Sequence, residues 1–287
     1  MKYGFMNDHR SAFPVGKMCR ALQVARSGYY RWRASGLSVR AQANQRLTEE
    51  IREIHEGSWK IYGSPRVYRE LKDRGVRCSE NRVCRLMQKA GILSKVKRKY
   101  RATTDSKHNL PIAPNLLAQK FQAQAPNEVW TGDITYIWTW EGWLYLAVVI
   151  DLYSRKIVGW AVSHLINTGL TLEALNQARN HRKGGSKGMF HSDRGSQYAA
   201  EDFRKALSKD GIVQSMSRKG NCYDNAVTES FFHSLKTEWL SFFRFETRQQ
   251  ARSAVFQYIE MFYNSRRRHS SLGYLSPAQF EQQSLAA

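Results

Sequence analysis

The stretch WLYLAVVI, residues 143–150, runs eight positions without a charge and constrains the fold more than any other feature. It is far shorter than the ~18 apolar residues that suggest a membrane span. A run this short and this apolar is expected as a central strand buried on both faces. Strand candidates flank it on either side. Glu128–Thr139 is rich in Trp, Thr, Ile and Tyr, and Lys156–Val162 follows a tight polar turn at Asp151–Arg155. The pattern then alternates: a helix over Thr168–Arg182, a short strand at Met189–Ser192, a helix over Ala199–Asp210 and a short strand at Ile212–Ser215. Helices are expected at about Ala226–Trp239 and Arg248–Tyr263. In the last, Ala251, Ala254, Val255, Tyr258, Ile259 and Phe262 form one apolar stripe.

The front of the chain has a different character. The net charge is +21, and residues 1–110 hold 25 Lys and Arg against 9 Asp and Glu, leaving 20 and 15 for residues 111–287. So basic a segment points to a polyanion, with DNA or RNA the first candidate and a plain soluble surface the alternative. Residues 1–40 read as two short helices, one opened by Pro14-Val15, the other after Ser27-Gly28. Residues 43–94 read as three: Ala43–Glu56, a second from Ser64-Pro65 to Arg74-Gly75, and a third from Ser79 to Ala90-Gly91. In the third, Val83, Leu86, Met87 and Ala90 form a buried stripe, and Arg82, Arg85 and Lys89 lie off it. Two helices joined through Gly75 suggest a helix-turn-helix whose second helix enters a major groove. An ordinary helical hairpin with a solvated basic face would read the same way.

Residues 95–127 read as a linker, with a basic run that includes Lys97, Arg98 and Lys99 and is suited to tracking phosphates, then Pro111, Pro114 and Pro126. The four cysteines form no CxxC pair, so no zinc site is expected. The first residues, MKYGFMNDHR, carry no signal-peptide pattern, and a cytoplasmic, DNA-associated protein is expected.

Three carboxylates carry the chemical reading. Asp133 sits mid-strand in WTGDITYI, on one face with Thr131 and Thr135, where a charge is costly unless paired or bound to metal. Asp193 follows a strand end in HSDRGSQY, where sites gather in α/β sheets. Glu229 opens a helix whose apolar stripe is Phe232, Leu235 and Trp239, with Glu229, His233 and Lys236 on the opposite side. Oxygen ligands from separate elements suit Mg²⁺, and phosphodiester cleavage suits two such ions, with Mn²⁺ able to substitute. Lys236, two turns beyond Glu229, is placed to meet a DNA-end phosphate. Taken alone, each acid has an ordinary reading as a buried hydrogen-bonded or solvated residue.

Together with SGYYRW (27–32), YGSPRVYREL (62–71), SMSRKGNCYDNAVTESFFHSLKTE (215–238) and YNSRRRHSSLGYLSP (263–277), these stretches resemble the OrfB product of insertion-sequence-three-family transposases, relatives of retroviral integrases. Asp193 and Glu229 have 35 residues between them, the spacing of that family's D,D(35)E motif. The resemblance covers nearly the whole chain. The element order is that of a ribonuclease H-like core, a mixed five-stranded sheet flanked by helices. The expected organisation is an N-terminal helical segment (1–40), a helix-turn-helix DNA-binding domain (43–94), a linker (95–127), the catalytic core (128–240) and a C-terminal helical extension (241–287). The resemblance implies metal-dependent cleavage and strand transfer through Asp133, Asp193 and Glu229, with Lys236 facing donor DNA. It implies that Asn221, Asp224 and Asn225 shape the site or the DNA path. His191 is expected to support Asp193 rather than act as a base, His269 to serve structure or DNA contact, and Asp151 to stabilise its turn. Implied partners are double-stranded DNA at element ends and target, further copies of the chain, and an upstream-frame product or fusion, since no sustained heptad run is present here.

Overall fold

A computed structural model describes residues 1–35, 38–95, 110–182, 188–218 and 222–286. The chain divides into two compact units, Met1–Leu93 and Ser94–Ala287. No helix among the described residues is long and apolar enough to cross a membrane.

The first unit is helical. Helices α1 (Lys2–Asp8), α2 (Val15–Ala21) and α3 (Arg26–Ala34) enclose Met6, Met18, Cys19 and Tyr29. Two helices are expected from the sequence here; the third, α1, carries no capping side chain and is held by Met6, which is fully buried. Ser27-Gly28 lies inside the first turn of α3 rather than ahead of it, and Ala25 caps the helix without a side-chain bond.

Next come α4 (Val39–Gly57), α5 (Ser64–Asp73) and α6 (Glu80–Lys89). α4 starts earlier than its apolar period suggests because Ser38 accepts a hydrogen bond from the Ala41 N–H. The expected stripe of α6 is buried at Val83, Leu86 and Met87, and Ser79 caps it through the Arg82 N–H. Arg82 is not a free basic side chain. Its Nε and Nη2 both donate to Asn44 Oδ1, at 3.0 and 2.8 Å, which ties α6 to α4. Arg85 and Lys89 remain exposed.

The second unit is built on one sheet of order β3-β2-β1-β4-β5. β1 (Val129–Thr139), β2 (Gly142–Asp151) and β3 (Ile157–Ser163) are antiparallel neighbours, whereas β4 (Met189–Ser192) and β5 (Val213–Met216) run parallel to β1. The apolar run becomes β2, buried from Leu146 through Asp151. One face packs α7 (Thr168–His181) and α9 (Glu201–Lys209) over Trp130, Ala147, Val149 and Phe190. The helix expected over Ala199–Asp210 is interrupted, because Ala200 is extended and separates the short α8 (Ser196–Ala199) from α9.

α10 (Ala226–Glu238) and α11 (Arg248–Phe256) also pack on the sheet. α11 opens with a reciprocal Thr247–Gln250 capping box and runs into a π-helical turn, Gln257–Tyr263, which buries Tyr258, Ile259, Phe262 and Tyr263. After it, Asn264 acts as a strand would: its side chain accepts from the Ile157 N–H and donates to the Ile157 carbonyl. α12 (Pro277–Ala286) is anchored by Glu281, which meets Ser154, Lys156 and Arg182. The 241–287 extension is therefore packed into the same unit as the sheet.

The same holds for the described part of the expected linker. Leu116 and Leu117 N–H groups both donate to Ser215 Oγ, and Leu117 is buried against Val129 and Leu152. Residues 110–127 are a strap on this unit rather than a tether. Lys97, Arg98 and Lys99 lie outside the described residues, as does Asn221.

Candidate active site

Strand pairing brings the two aspartates together. β1 and β4 are parallel with Gly132 beside Ser192, so Asp133 and Asp193 are the next residues along two adjacent chains. Gly132 is required at this register. A Cβ there would lie 2.5 Å from Cζ of Phe190, a fully buried ring. Asp133 Oδ1 accepts from the Ile134 N–H at 2.7 Å. Asp193 Oδ1 accepts from the Gly195 N–H at 2.9 Å, an Asx turn that leads into α8.

The glutamate arrives on α10. Thr131 Oγ1 and Thr228 Oγ1 lie 2.9 Å apart and both residues are buried, which fixes the first turn of α10 over β1 two residues from Asp133. Glu229 is the next residue of the helix and is exposed. The three acids sense one another. Burial pushes the Asp133 carboxyl well above the ordinary range, and Asp193 and Glu229 raise it further. Burial and Asp193 also raise Glu229. Among the described residues no three donors stand close enough to make a ready metal cage. The donor set nevertheless fits a hard divalent cation: three oxygen ligands, mutually repelling, with excess negative charge.

The loop ahead of α10 is held by Asp224. Its carboxylate accepts from the Arg218 backbone N–H and guanidinium, from Asn115 Nδ2 and from Gln119 Nε2. Arg218 leads these contacts in holding the Asp224 carboxyl below the usual carboxylate range. Asn225 caps α10 without a side-chain bond and is buried, and among the described residues neither its amide nitrogen nor its amide oxygen has a hydrogen-bond partner.

His191 is fully buried, with Nδ1 2.8 Å from Ser215 Oγ and Nε2 3.2 Å from Ser217 Oγ. Burial lowers its pKa to about 4, so it is neutral near pH 7 and clasps β4 to β5. Asp151, also fully buried, accepts from the Asn127 and Tyr153 N–H groups and pairs with Arg182 across the turn. His269 stacks edge-on against Tyr263, with its Nε2 3.3 Å from Arg267.

Lys236 departs most from expectation. It shares a helix face with Glu229 but is only 9% exposed, and its Nζ lies 4.7 Å from the centre of the Tyr136 ring. Burial lowers its pKa to about 8, against the pull of Asp133. Helical spacing alone places this amine in solvent; the aromatic end of β1 draws it in. The Thr131–Thr228 contact and the Asp224 clamp were likewise not legible as partners, although each stands beside a singled-out acid or asparagine.

The chain is 44% identical to the transposase InsF of insertion sequence IS3A from Escherichia coli strain K12, over 288 residues that span 100% of both chains. It belongs to the IS3 family of transposases. The transposase is also 47% identical, over 92% of its length and 97% of the relative's, to an uncharacterized 31 kDa protein of insertion element IS600 from Shigella sonnei. Residues 123–222 and 229–285 each match an integrase core domain family, and residues 42–100 match an HTH-like domain family. Among solved structures, the transposase is similar to the HTLV-2 integrase catalytic core domain in complex with magnesium, at 16% identity and a TM-score of 0.44 over 55% of this chain and 98% of that one. Its sheet and flanking helices form a ribonuclease H-like core.

Proposed function

We propose that this transposase hydrolyses a phosphodiester at an element end, freeing a 3′-hydroxyl, and then joins that hydroxyl to a second phosphodiester. The observation that carries the reading is the convergence of Asp133, Asp193 and Glu229 from three elements, close enough that Asp193 raises the proton affinity of both other acids and Glu229 that of Asp133. Asp133, Asp193 and Glu229 would hold two Mg²⁺ ions, or Mn²⁺ in their place. When bound, such ions activate the attacking oxygen and stabilise the leaving one. The Thr131–Thr228 contact and the β1–β4 register hold the two strands and the helix that carry the carboxylates next to one another.

Double-stranded DNA at element ends and target is the partner that this chemistry demands. Arg85 and Lys89, exposed on α6, are assigned to it, in keeping with the HTH-like match. Further copies of the chain and an upstream-frame product complete the proposed assembly.

The test is nicking and joining of element-end DNA with Mg²⁺ or Mn²⁺. Asp193→Asn and Glu229→Gln should each abolish cleavage while DNA binding persists. Cleavage at the wild-type rate by either variant removes the metal-site assignment. Tight binding without cleavage by the wild type would leave a DNA-binding regulator instead.

A further inference from the structure

β4 pairs with β1 only over Val129–Gly132. From Asp133 onward no strand among the described residues pairs with that side of β1, and Lys236 near the end of α10 lies over the Tyr136 ring. A cleft of about 610 Å³ opens there. Its walls are aromatic: Tyr136, Trp138 and Trp143 from the β1–β2 hairpin, and Phe243 from the segment after α10. Trp138 and Trp143 are 56% and 43% exposed, and Trp140, at the hairpin tip, is 70% exposed. So many large rings on one solvent-facing surface lie outside what folding requires.

The rings are nonetheless held in place. Trp138 and Trp143 are cross-strand partners, packed edge to face at 4.8 Å, and Tyr136 meets Trp143 in the same way at 5.1 Å. The Trp140 N–H donates to the Phe245 carbonyl, and Arg248 Nε donates to the Trp143 carbonyl. Two cations, Lys236 and Arg244, line the same cleft, and no acid is among its lining residues. Rigid exposed rings with cations between them make a stacking platform for bases whose backbone is drawn by positive charge.

Its position says which bases. Tyr136 and Trp138 lie on the face of β1 opposite Asp133, and α10 joins cleft to site: Lys236 stands seven residues beyond Glu229 on the same helix face, about 10 Å at ~1.5 Å per residue, with its Nζ 4.7 Å from the Tyr136 ring. Successive nucleotides of a duplex strand are ~3.4 Å apart along the helix axis. A strand with its scissile phosphate at the carboxylates therefore carries nucleotides about three steps away to this cleft.

We propose that the aromatic cleft at the end of β1 binds unpaired bases of the DNA strand being processed, stacking them on Trp138 and Trp143 beside the cations Lys236 and Arg244. The proposal rests on the catalytic reading for its substrate, but the platform is testable without catalysis. A strand captured there is held open next to the site of attack, so the cleft stabilises a frayed element end.

The experiment uses the full chain and two probes: a fully paired element-end duplex and the same duplex with its last few base pairs mismatched. With Glu229→Gln as the background, so that no cutting intervenes, the mismatched duplex should bind about tenfold tighter than the paired one. Trp138→Ala should erase that preference and leave paired-duplex affinity within about twofold, while Trp138→Phe should keep most of it. Trp138 is more than half exposed, and an unchanged thermal melt checks that the variant folds. In the otherwise wild-type chain, Trp138→Ala should slow cleavage of the paired end more than of the mismatched end. An unaltered preference for mismatched ends in Trp138→Ala overturns the proposal. So does a preference absent from the Glu229→Gln chain itself. Loss of self-association in the variant with DNA binding intact would assign the cleft to a second copy, and the proposal would fall. Failure of the wild type to cut any DNA would sink the catalytic reading while leaving the binding comparison valid.

Discussion

The hydroxyls of Thr131 on β1 and Thr228 on α10 meet at 2.9 Å in a fully buried contact, 97 residues apart in sequence. Each is a near neighbour of a candidate ligand, Asp133 on one side and Glu229 on the other. The pair thus sets the distance between strand and helix on which the three-acid site depends.

Thr228→Val keeps the shape and leaves Thr131 with an unmet hydroxyl. Unfolding free energy should fall by about 1–3 kcal/mol, and nicking should fall further than stability accounts for. Adding Thr131→Val removes the orphaned group, so the double variant should recover part of the loss in urea melts. Strict additivity of the two substitutions would contradict a direct contact.

His191 is neutral and buried, with its folded pKa depressed from 6.5 to about 4. The unfolded chain takes up a proton first as pH falls. The stabilising effect is therefore complete above pH ~6.5 and is lost between about 6.5 and 4, on the order of 3 kcal/mol in all. Burial raises Asp151 to about 6, and that shift acts in the opposite direction. The informative quantity is the difference in urea midpoint between wild type and His191→Asn, which should narrow as pH falls through this window. A difference constant from pH 7 to 4 would show that the imidazole does not titrate as described.

Lys236, lowered to about 8, should lose its charge as pH rises past that value. End binding by the wild type should weaken between pH 7 and 9, beyond any change in Lys236→Met, whose affinity should be lower at pH 7 and flat with pH. Fluorescence anisotropy on a labelled duplex measures both. A parallel pH response in the two proteins would remove Lys236 from the DNA contact.

Arg267 is buried and donates through Nε and Nη2 to Glu238, which also accepts from the Tyr258 hydroxyl. Arg267→Met leaves that carboxylate buried with its main counter-charge gone. A loss of roughly 3–5 kcal/mol is expected, visible as a large drop in melting temperature. Arg267→Lys should restore only part of it, because an ammonium does not reproduce the two-pronged geometry.

Much of the architecture was legible beforehand because its signals are local. WLYLAVVI was expected as a strand and forms one, buried from Leu146 onward although Trp143 is 43% exposed, and β4 was read at its observed limits, Met189–Ser192. The helices deviated where capping or a single backbone angle decides: α4 begins at the Ser38 cap, Ala200 divides α8 from α9, and α1 has no cap signal at all. Asp133 and Asp193 could be singled out because a charge within an aromatic strand, or at a strand end, is anomalous at the level of sequence, whereas Glu229 stood out through its spacing of 35 residues from Asp193.

What the sequence alone determined, then, is the fold class and the family, and it singled out the three acids proposed as ligands, because side-chain periodicity and motif spacing are properties of neighbours along the chain. Tertiary structure alone decided the partners. Lys236 is drawn to Tyr136, Arg82 is taken by Asn44 across 38 residues, and Asp224 is clamped to Asn115 across 109. The reason is physical: a buried charge or amide settles on whichever complementary group folding delivers to it, and no local pattern encodes which group that is.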